Sequence, residues 1–179
     1  MNKVLLCLSV LITGVFAAQN VQQIRVGQPI SVEYPTNMKR SYDLNTDAML
    51  QLSNQAQEKY CIIIQDEKES LESMQIVFGD ANEAVEFYSK SLIESMIDNS
   101  SRKISKVSQR TVGNYKVAEV SIEGEIEDSE GKMVKTFYLF SVVETPKFYY
   151  QILNWTTKAN KSKFQGEFRT LVNSFKEVN

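Results

Sequence analysis

Polar and hydrophobic residues alternate almost strictly along residues 117–128. The hydrophobic positions are Ala118, Val120, Ile122 and Ile126. The polar positions are Glu119, Ser121, Glu123, Glu125 and Glu127. Because successive side chains of a strand point to opposite faces of a sheet, this pattern predicts a strand with one buried face and one solvated face.

Two further segments, 133–144 and 148–155, are hydrophobic at both sets of alternating positions. Such segments are typical of central strands that are covered on both faces. Turn residues at 128–131 and at Thr145 and Pro146 separate the three segments. Consecutive strands with short connections most simply form an antiparallel meander, and we expect a final helix to pack behind it.

Other periodic segments predict the elements around this meander. Strands are expected at 24–26, 30–34, 49–53, 59–65 and 104–112. Residues 71–78 fit either a short helix or an extended connection. Asp80 and Glu83 resemble a capping box in front of a helix over 82–98. A stripe at helical spacing predicts the C-terminal helix, with Phe164, Phe168, Leu171, Val172 and Phe175 as its members.

The first residues match the pattern of a secretory signal peptide. Lys3 precedes a hydrophobic run over 4–15, and the small residues Ala17 and Ala18 follow it. We therefore predict a signal peptide over 1–18, cleaved after Ala17 or Ala18, and one domain over 19–179. The mature protein is then secreted or periplasmic and has no membrane span, whereas an uncleaved anchor is the alternative.

Cysteine usage excludes a disulfide framework. Cys7 lies inside the signal segment, so cleavage leaves Cys61 as the only cysteine. Cys61 belongs to a strongly hydrophobic strand segment, which favours a buried thiol that acts as a small hydrophobic residue. A catalytic thiolate would need an activating base, and the sequence contains no histidine.

Composition narrows the possible function further. Lys and Arg number 20 against 22 Asp and Glu, so no basic excess indicates a nucleic-acid partner. The absence of histidine removes the commonest general base and the usual zinc ligand. The sequence also lacks a glycine-rich phosphate loop, a nucleophile elbow and paired cysteines. We therefore expect a protein that is not an enzyme and that uses no cofactor and no metal.

A few polar and aromatic residues are candidates for binding. Tyr149, Tyr150 and Trp155 fit a ligand-binding or partner-binding surface, and burial in the core is the competing interpretation. The glutamate row of 119–127 offers oxygen ligands for calcium, but its members are about 7 Å apart along the strand. We therefore expect a solvated face that pairs in part with Lys132 and Lys135. The glycosylation sequons at Asn99 and Asn154 are interpreted as chance matches.

Several local patterns together resemble a known family. They are Pro35 after an alternating strand, Val112 and Gly113 before the long strand, the aromatic run Phe148, Tyr149 and Tyr150, and the segment 172–176. This combination resembles the PsbP-like family, which includes an extrinsic protein of photosystem II, a yeast Ran-binding import factor and exported bacterial proteins. The resemblance implies an α+β fold in which helices flank both faces of an antiparallel sheet, an α-β-α sandwich.

The resemblance also implies a class of function. Its members bind or assist larger assemblies and are not enzymes, and the metal retention of the photosynthetic members is not expected in a chain without histidine. The leading hypothesis is an exported accessory protein that binds a protein partner. The alternative is a carrier of a small apolar ligand held between the sheet and the C-terminal helix. A cavity at that place favours the carrier, whereas a filled core with an exposed aromatic patch favours the binding module.

Overall fold

Strands dominate the fold. The computed structural model describes residues 21–26, 30–97, 102–128 and 130–178, and within them the chain forms eleven strands and three α-helices. The strands are β1 (Val21–Val26), β2 (Ile30–Pro35), β3 (Lys39–Arg40), β4 (Leu50–Asn54), β5 (Lys59–Glu67), β6 (Lys103–Ile104), β7 (Ser108–Val112), β8 (Tyr115–Glu127), β9 (Met133–Glu144), β10 (Phe148–Thr157) and β11 (Lys176–Glu177). The helices are α1 (Lys68–Ser73), α2 (Ala81–Glu94) and α3 (Lys161–Asn173).

The strands belong to two antiparallel sheets. The larger sheet has the order β3-β4-β5-β10-β9-β8-β6, and β7 pairs with β8 as its eighth strand. The smaller sheet has the order β1-β2-β11. The predicted meander of β8, β9 and β10 is confirmed, with Phe140 paired to Val120 on one side and to Leu153 on the other.

Side chains of β9 enter two separate hydrophobic clusters. Tyr138, Phe140 and Val142 pack in a cluster that contains Ala81, Ala84 and Val85 of α2. Phe137 and Leu139, at the alternate positions, pack with Phe164 and Phe168 of α3. This explains why the segment is hydrophobic at both sets of positions, since consecutive side chains of a strand point in opposite directions.

The hairpin of β4 and β5 is confirmed, although the segment that joins its strands carries little turn signal. A single 3₁₀ turn at Gln55–Gln57 connects the two strands. The Asn54 side chain accepts a hydrogen bond from the Gln57 amide at 3.1 Å, and Glu58 takes a left-handed conformation with φ of 50°. The Asn54 side chain therefore stabilises the turn by capping the Gln57 amide.

The predicted helix over 82–98 is shorter in the structure. It begins at Ala81 because the Asp80 carboxylate accepts hydrogen bonds from the amides of Asn82 and Glu83, at 2.8 and 3.1 Å. The Glu83 carboxylate accepts from the Gly79 amide, one residue earlier than a capping box requires. The helix ends at Glu94, and the buried Met96 lies beyond it against the sheet.

Two predicted strands have different bounds. The strand expected at 24–26 begins at Val21. The strand expected at 104–112 is divided into β6 and β7, and both pair with β8. At Ser105, next to the division, the hydroxyl oxygen accepts a hydrogen bond from the Ser121 amide at 3.0 Å. The Ser105 amide still donates to the Ser121 carbonyl at 2.9 Å, so the side chain replaces one of the two backbone hydrogen bonds at this position.

Other expectations lie outside the described residues. They concern the signal peptide over 1–18 and the sequon at Asn99. The predicted turn at 128–131 is described except for Ser129, and Gly131 there has a φ of 78°. Among the described helices, none combines the length and the hydropathy that a membrane crossing requires.

Two glycines form a matched test of core packing. A Cβ at Gly124 of β8 would overlap the sulfur of the buried Met96, whereas a Cβ at Gly166 of α3 meets no atom within 4 Å. We expect Gly124→Ala to lower the free energy of unfolding by about 1–3 kcal/mol through overpacking. Gly166→Ala should raise it by about 0.5–1 kcal/mol because alanine favours a helix interior. Urea denaturation measures the free energy of unfolding of both variants. A change in the same direction for the two variants would contradict the tight packing at Gly124 and the open space at Gly166.

Candidate partner-binding site

A cleft with aromatic walls opens where α1, the segment after it and the ends of β9 and β10 meet. Its volume is about 160 Å³. The lining residues are Lys68, Leu71, Glu72, Ile76, Val77, Phe78, Glu144 and Tyr149. We call this the aromatic cleft. It contains one of the aromatic residues that the sequence suggests for binding.

The end of α1 shapes the rim of the aromatic cleft. The Ile76 amide donates to the Leu71 carbonyl and the Gln75 amide to the Glu72 carbonyl, both at 2.9 Å. This pattern, with Gln75 in a left-handed conformation at φ of 64°, is a Schellman motif. The reversal that it makes turns Ile76 toward the core cluster of Leu71 and leaves Val77 72% exposed.

Four aromatic rings lie in the cleft wall and next to it. The Phe78 ring lies 5.2 Å from that of Phe87, 5.5 Å from that of Tyr88 and 5.4 Å from that of Tyr149, measured between centroids. Most of these contacts have the tilted or edge-to-face geometry that aromatic pairs prefer. Phe87 is nevertheless 49% exposed, and Met74 beside this segment is 60% exposed. Large hydrophobic side chains therefore face solvent around a rigid aromatic base.

Carboxylates surround the same cleft. Lys68 Nζ binds Glu144 Oε1 at 2.9 Å and lies 4.5 Å from the centroid of the Tyr149 ring. Burial raises the pKa of Tyr149 to about 12, and nearby negative charges contribute to the rise. Those charges are on Glu144, Asp80, Glu83 and Glu72. Among the residues that line the cleft, the carboxylates of Glu72 and Glu144 outnumber the ammonium group of Lys68, which makes its potential negative.

A second depression continues the aromatic cleft toward the turn between β9 and β10. Its volume is about 470 Å³, and it is lined by Glu67, Lys68, Glu69, Glu72, Pro146 and Lys147. Lys68 and Glu72 line both depressions, so the two adjoin, and we call them together the groove. The Lys68 amide donates to the Lys147 carbonyl at 2.9 Å, which fixes α1 against this turn.

The structure does not bring the three predicted aromatic residues together. Tyr149 lines the aromatic cleft. Tyr150 is fully buried in the other large cluster, where its ring lies 4.8 Å from that of Phe175. Trp155 stacks on Tyr60 at 5.2 Å, six residues along β10 from Tyr149. Whether these three residues bind anything stays a prediction, but they do not form one site.

Sequence reasoning missed the hydrophobic residues in and beside the cleft. Met74, Val77 and Phe78 lie in the segment whose structure the sequence left undecided, and Phe87 lies on α2 outside its hydrophobic stripe. A large hydrophobic residue outside the stripe of an amphipathic helix is the signal that points to this surface.

The expectation of a solvated glutamate row is wrong for two of its members. Glu119 is 3% exposed and lies between Arg110 at 3.0 Å and Arg169 at 2.9 Å. Glu123 binds Lys161 at 2.6 Å and Lys158 at 3.2 Å. The basic residues belong to α3, to the turn before it and to β7, which cover this part of β8.

Glu125, nearer the end of the glutamate row, agrees better with the expected pairing to lysines of the neighbouring strand. Glu125 binds Lys135 at 3.4 Å as predicted, and the described ion pairs do not include Lys132. No group of three or more His, Cys, Asp and Glu side chains converges as a metal site within the described ranges.

The space between the sheet and α3 is filled. Phe164 and Phe168 of α3 are at most 2% exposed against Phe137 and Leu139. Asn154, the asparagine of the second sequon, is fully buried on the same side of β10 as Tyr150. A glycosylation enzyme cannot reach it in the folded protein, which agrees with a chance match.

Comparison with solved structures finds the same fold at low sequence identity. Cyanobacterial PsbP from Synechocystis has a TM-score of 0.62 and 13% identity, over 92% of this chain and 96% of that chain. The Ran-binding protein Mog1p of Saccharomyces cerevisiae has a TM-score of 0.62 and 11% identity, over 90% and 97%. LpqN of Mycobacterium tuberculosis, involved in cell envelope biogenesis, has a TM-score of 0.54 and 10% identity, over 89% and 91%.

The chain therefore has the PsbP/Mog1-like fold that the sequence patterns suggested. No family model and no curated protein matches the sequence. At these identities the likeness concerns the fold, so the function has to be argued from the aromatic cleft.

The ion pairs of Glu123 predict how stability depends on pH. Hydrogen bonds from Lys161 and Lys158 hold the pKa of Glu123 below its ordinary value of 4.5. When the pKa is lower in the folded state than in the unfolded state, the ionised group stabilises the fold at pH values above the unfolded-state pKa. This contribution is lost as the pH falls through the folded-state pKa. Glu123→Gln should therefore cost about 1 kcal/mol of unfolding free energy at pH 7. The difference from the unmodified protein should shrink below about pH 4.

Urea denaturation at pH 7 and at pH 3 measures this difference. Glu127→Gln is the matched control, because Glu127 lies on the same strand and is exposed. A loss for Glu123→Gln that is equal at both pH values would contradict the role of the ion pairs.

Burial predicts an unreactive thiol. Cys61 is a free cysteine with no exposed surface, and burial raises the pKa of its thiol. This agrees with the buried hydrophobic role expected from its segment. In the mature protein, Ellman's reagent at pH 8 should leave the thiol unmodified in the folded state and should modify it fully in urea. Rapid labelling of the folded protein would show that β5 opens.

Proposed function

We propose that this chain is an exported accessory protein that catalyses no reaction and binds a protein partner through the aromatic cleft. The observation that carries the proposal is the exposed hydrophobic surface at Phe78, formed by Val77, which follows Ile76 in the cleft wall, and by Phe87, whose ring lies 5.2 Å from that of Phe78. Contiguous hydrophobic side chains on a rigid base mark interaction surfaces in soluble proteins. The signal pattern at 1–18 supports export.

The fold is compatible with this function. A solved protein of this fold is Ran-binding, and another is involved in cell envelope biogenesis. We also infer that α2 and α3 enclose the larger sheet as an α-β-α sandwich, which the two alternating clusters of β9 support. In such a sandwich the sheet faces are occupied by helices, so partners bind at the ends and rims of the layers.

The alternative function, a carrier of a small apolar ligand, has less support. The carrier needs space between the sheet and α3, and the phenylalanines of α3 occupy that space in the part of the chain that the structure describes. The aromatic cleft itself is open and rimmed by carboxylates, unlike the enclosed apolar pockets that hold such ligands.

Site-specific crosslinking tests the proposed function. A photoreactive benzophenone amino acid is placed at Val77 of the full chain in its own host, and at Tyr42 as a control. Both residues are strongly exposed, at 72% and 78%, but Tyr42 lies on the loop between β3 and β4. Illumination should give a discrete protein adduct from position 77 and none from position 42.

The partner identified in that adduct is then purified, and its affinity is measured with two matched variants. Val77→Asp should weaken binding at least about tenfold because it places a charge in the contact. Tyr42→Asp should leave the affinity unchanged. The absence of an adduct at position 77, or an unchanged affinity of Val77→Asp, would refute the proposed function.

A further inference from the structure

We propose that the partner segment bound by the aromatic cleft carries a hydrophobic side chain beside a lysine or arginine. The inference rests on the proposed function and adds the chemistry of the partner. It follows from the two kinds of surface that the cleft presents, one hydrophobic and one negatively charged.

The hydrophobic contact is located at the rim formed by α1 and α2. Val77 and Phe87 expose their side chains next to Phe78, whose ring contacts three aromatic neighbours. A partner side chain placed there covers apolar surface that otherwise faces water. Because the base is rigid, little conformational freedom is lost on binding.

The charged contact is located at the inner end of the cleft. Glu144 Oε1 binds Lys68, but Glu144 Oε2 is buried and has no hydrogen-bond partner within the described ranges. A buried carboxylate oxygen without a donor is unfavourable, and a second cation removes that cost. The ammonium or guanidinium group of a partner reaches Oε2 when the Glu144 side chain rotates toward the cleft, and it then supplies the donor and the opposite charge.

The surrounding charges favour a cation as well. Four glutamates line the cleft and the depression next to it, namely Glu67, Glu69, Glu72 and Glu144, against the two lysines Lys68 and Lys147. A basic segment is attracted by this excess of negative charge, whereas an acidic segment is repelled. The same field disfavours nucleic acids and anionic membrane surfaces, because both present phosphate charges.

The shape indicates a segment of extended chain. The aromatic cleft continues past Lys68 and Glu72 into the depression that ends at Pro146 and Lys147. Such a groove accommodates neighbouring residues of one chain, the hydrophobic one at Phe78 and the basic one toward Glu144. Peptide recognition by grooves relies on this kind of combination, in which anchors are held at fixed spacing.

Matched synthetic peptides test the inference with the mature protein in solution. The first peptide has a leucine flanked by lysines, the second has glutamates in place of the lysines, and the third has serine in place of the leucine. Amide shifts of Val77 and Phe78 in NMR titrations report binding. The first peptide should bind saturably, and the other two should bind at least about tenfold more weakly.

Two charge-matched variants locate the contact. Glu144→Gln should weaken the binding of the first peptide about tenfold, and Glu127→Gln, an exposed site on β8, should leave it unchanged. Raising NaCl from about 0.05 to about 0.5 M should also weaken this binding. Equal or tighter binding of the glutamate peptide, or no effect of Glu144→Gln, would overturn the inference.

The crosslinked partner separates this inference from the proposed function. If position 77 crosslinks to a segment with a lysine or arginine next to the crosslinked residue, both stand. A crosslinked segment that is acidic or lacks basic residues overturns the basic-hydrophobic chemistry and leaves the partner-binding function intact. Failure to crosslink at position 77 refutes the function itself.

Discussion

The pairing of buried charges between the sheet and α3 is the constraint on which the C-terminal part of the fold depends. Glu119 is almost completely buried, and two arginines contact its carboxylate. Lys59 is fully buried as well and binds Glu167 of α3 at 2.6 Å. A charge removed from water needs a partner of opposite sign, so α3 can lie on this sheet only where its own charges meet those of the strands. Close packing of the phenylalanines holds the helix as well, and the ion pairs favour the same position over displaced ones.

This constraint extends through the second large cluster. With α3 in place, the chain continues to Phe175, which packs against Tyr150 and Tyr115. It then pairs β11 with β2, and the Ser174 hydroxyl oxygen accepts a hydrogen bond from the Glu33 amide at 2.8 Å. The smaller sheet is thereby connected to the larger one by the segment that follows α3. The position of this helix thus sets how the N-terminal strands join the core.

The sequence was sufficient to predict the strands and helices whose residue pattern is local. Alternation predicted the meander and the β4–β5 hairpin, and helical spacing predicted α2 and α3. Consecutive residues of a strand point to opposite faces of the sheet, so Tyr149 and Tyr150 face opposite ways. The alternation alone therefore excludes a site that both side chains share. The burial of Glu119 was not predictable in this way, because Arg169 is 50 residues away and meets it only in the folded chain. The aromatic cleft was missed for a similar reason, since Phe78 has no periodic neighbours and acquires its role from Tyr149.

The interrupted outer strands of the larger sheet have a further consequence for association. One border is β3, which has two residues, and the other is divided between β6 and β7 at Ser105. Long, uninterrupted borders invite a strand from another molecule to continue the hydrogen-bond ladder, and short or broken ones resist it. The long strands β8, β9 and β10 lie inside the sheet, where their backbone groups are already paired. The larger sheet is therefore protected against ordered aggregation, and contact with other proteins is left to side chains.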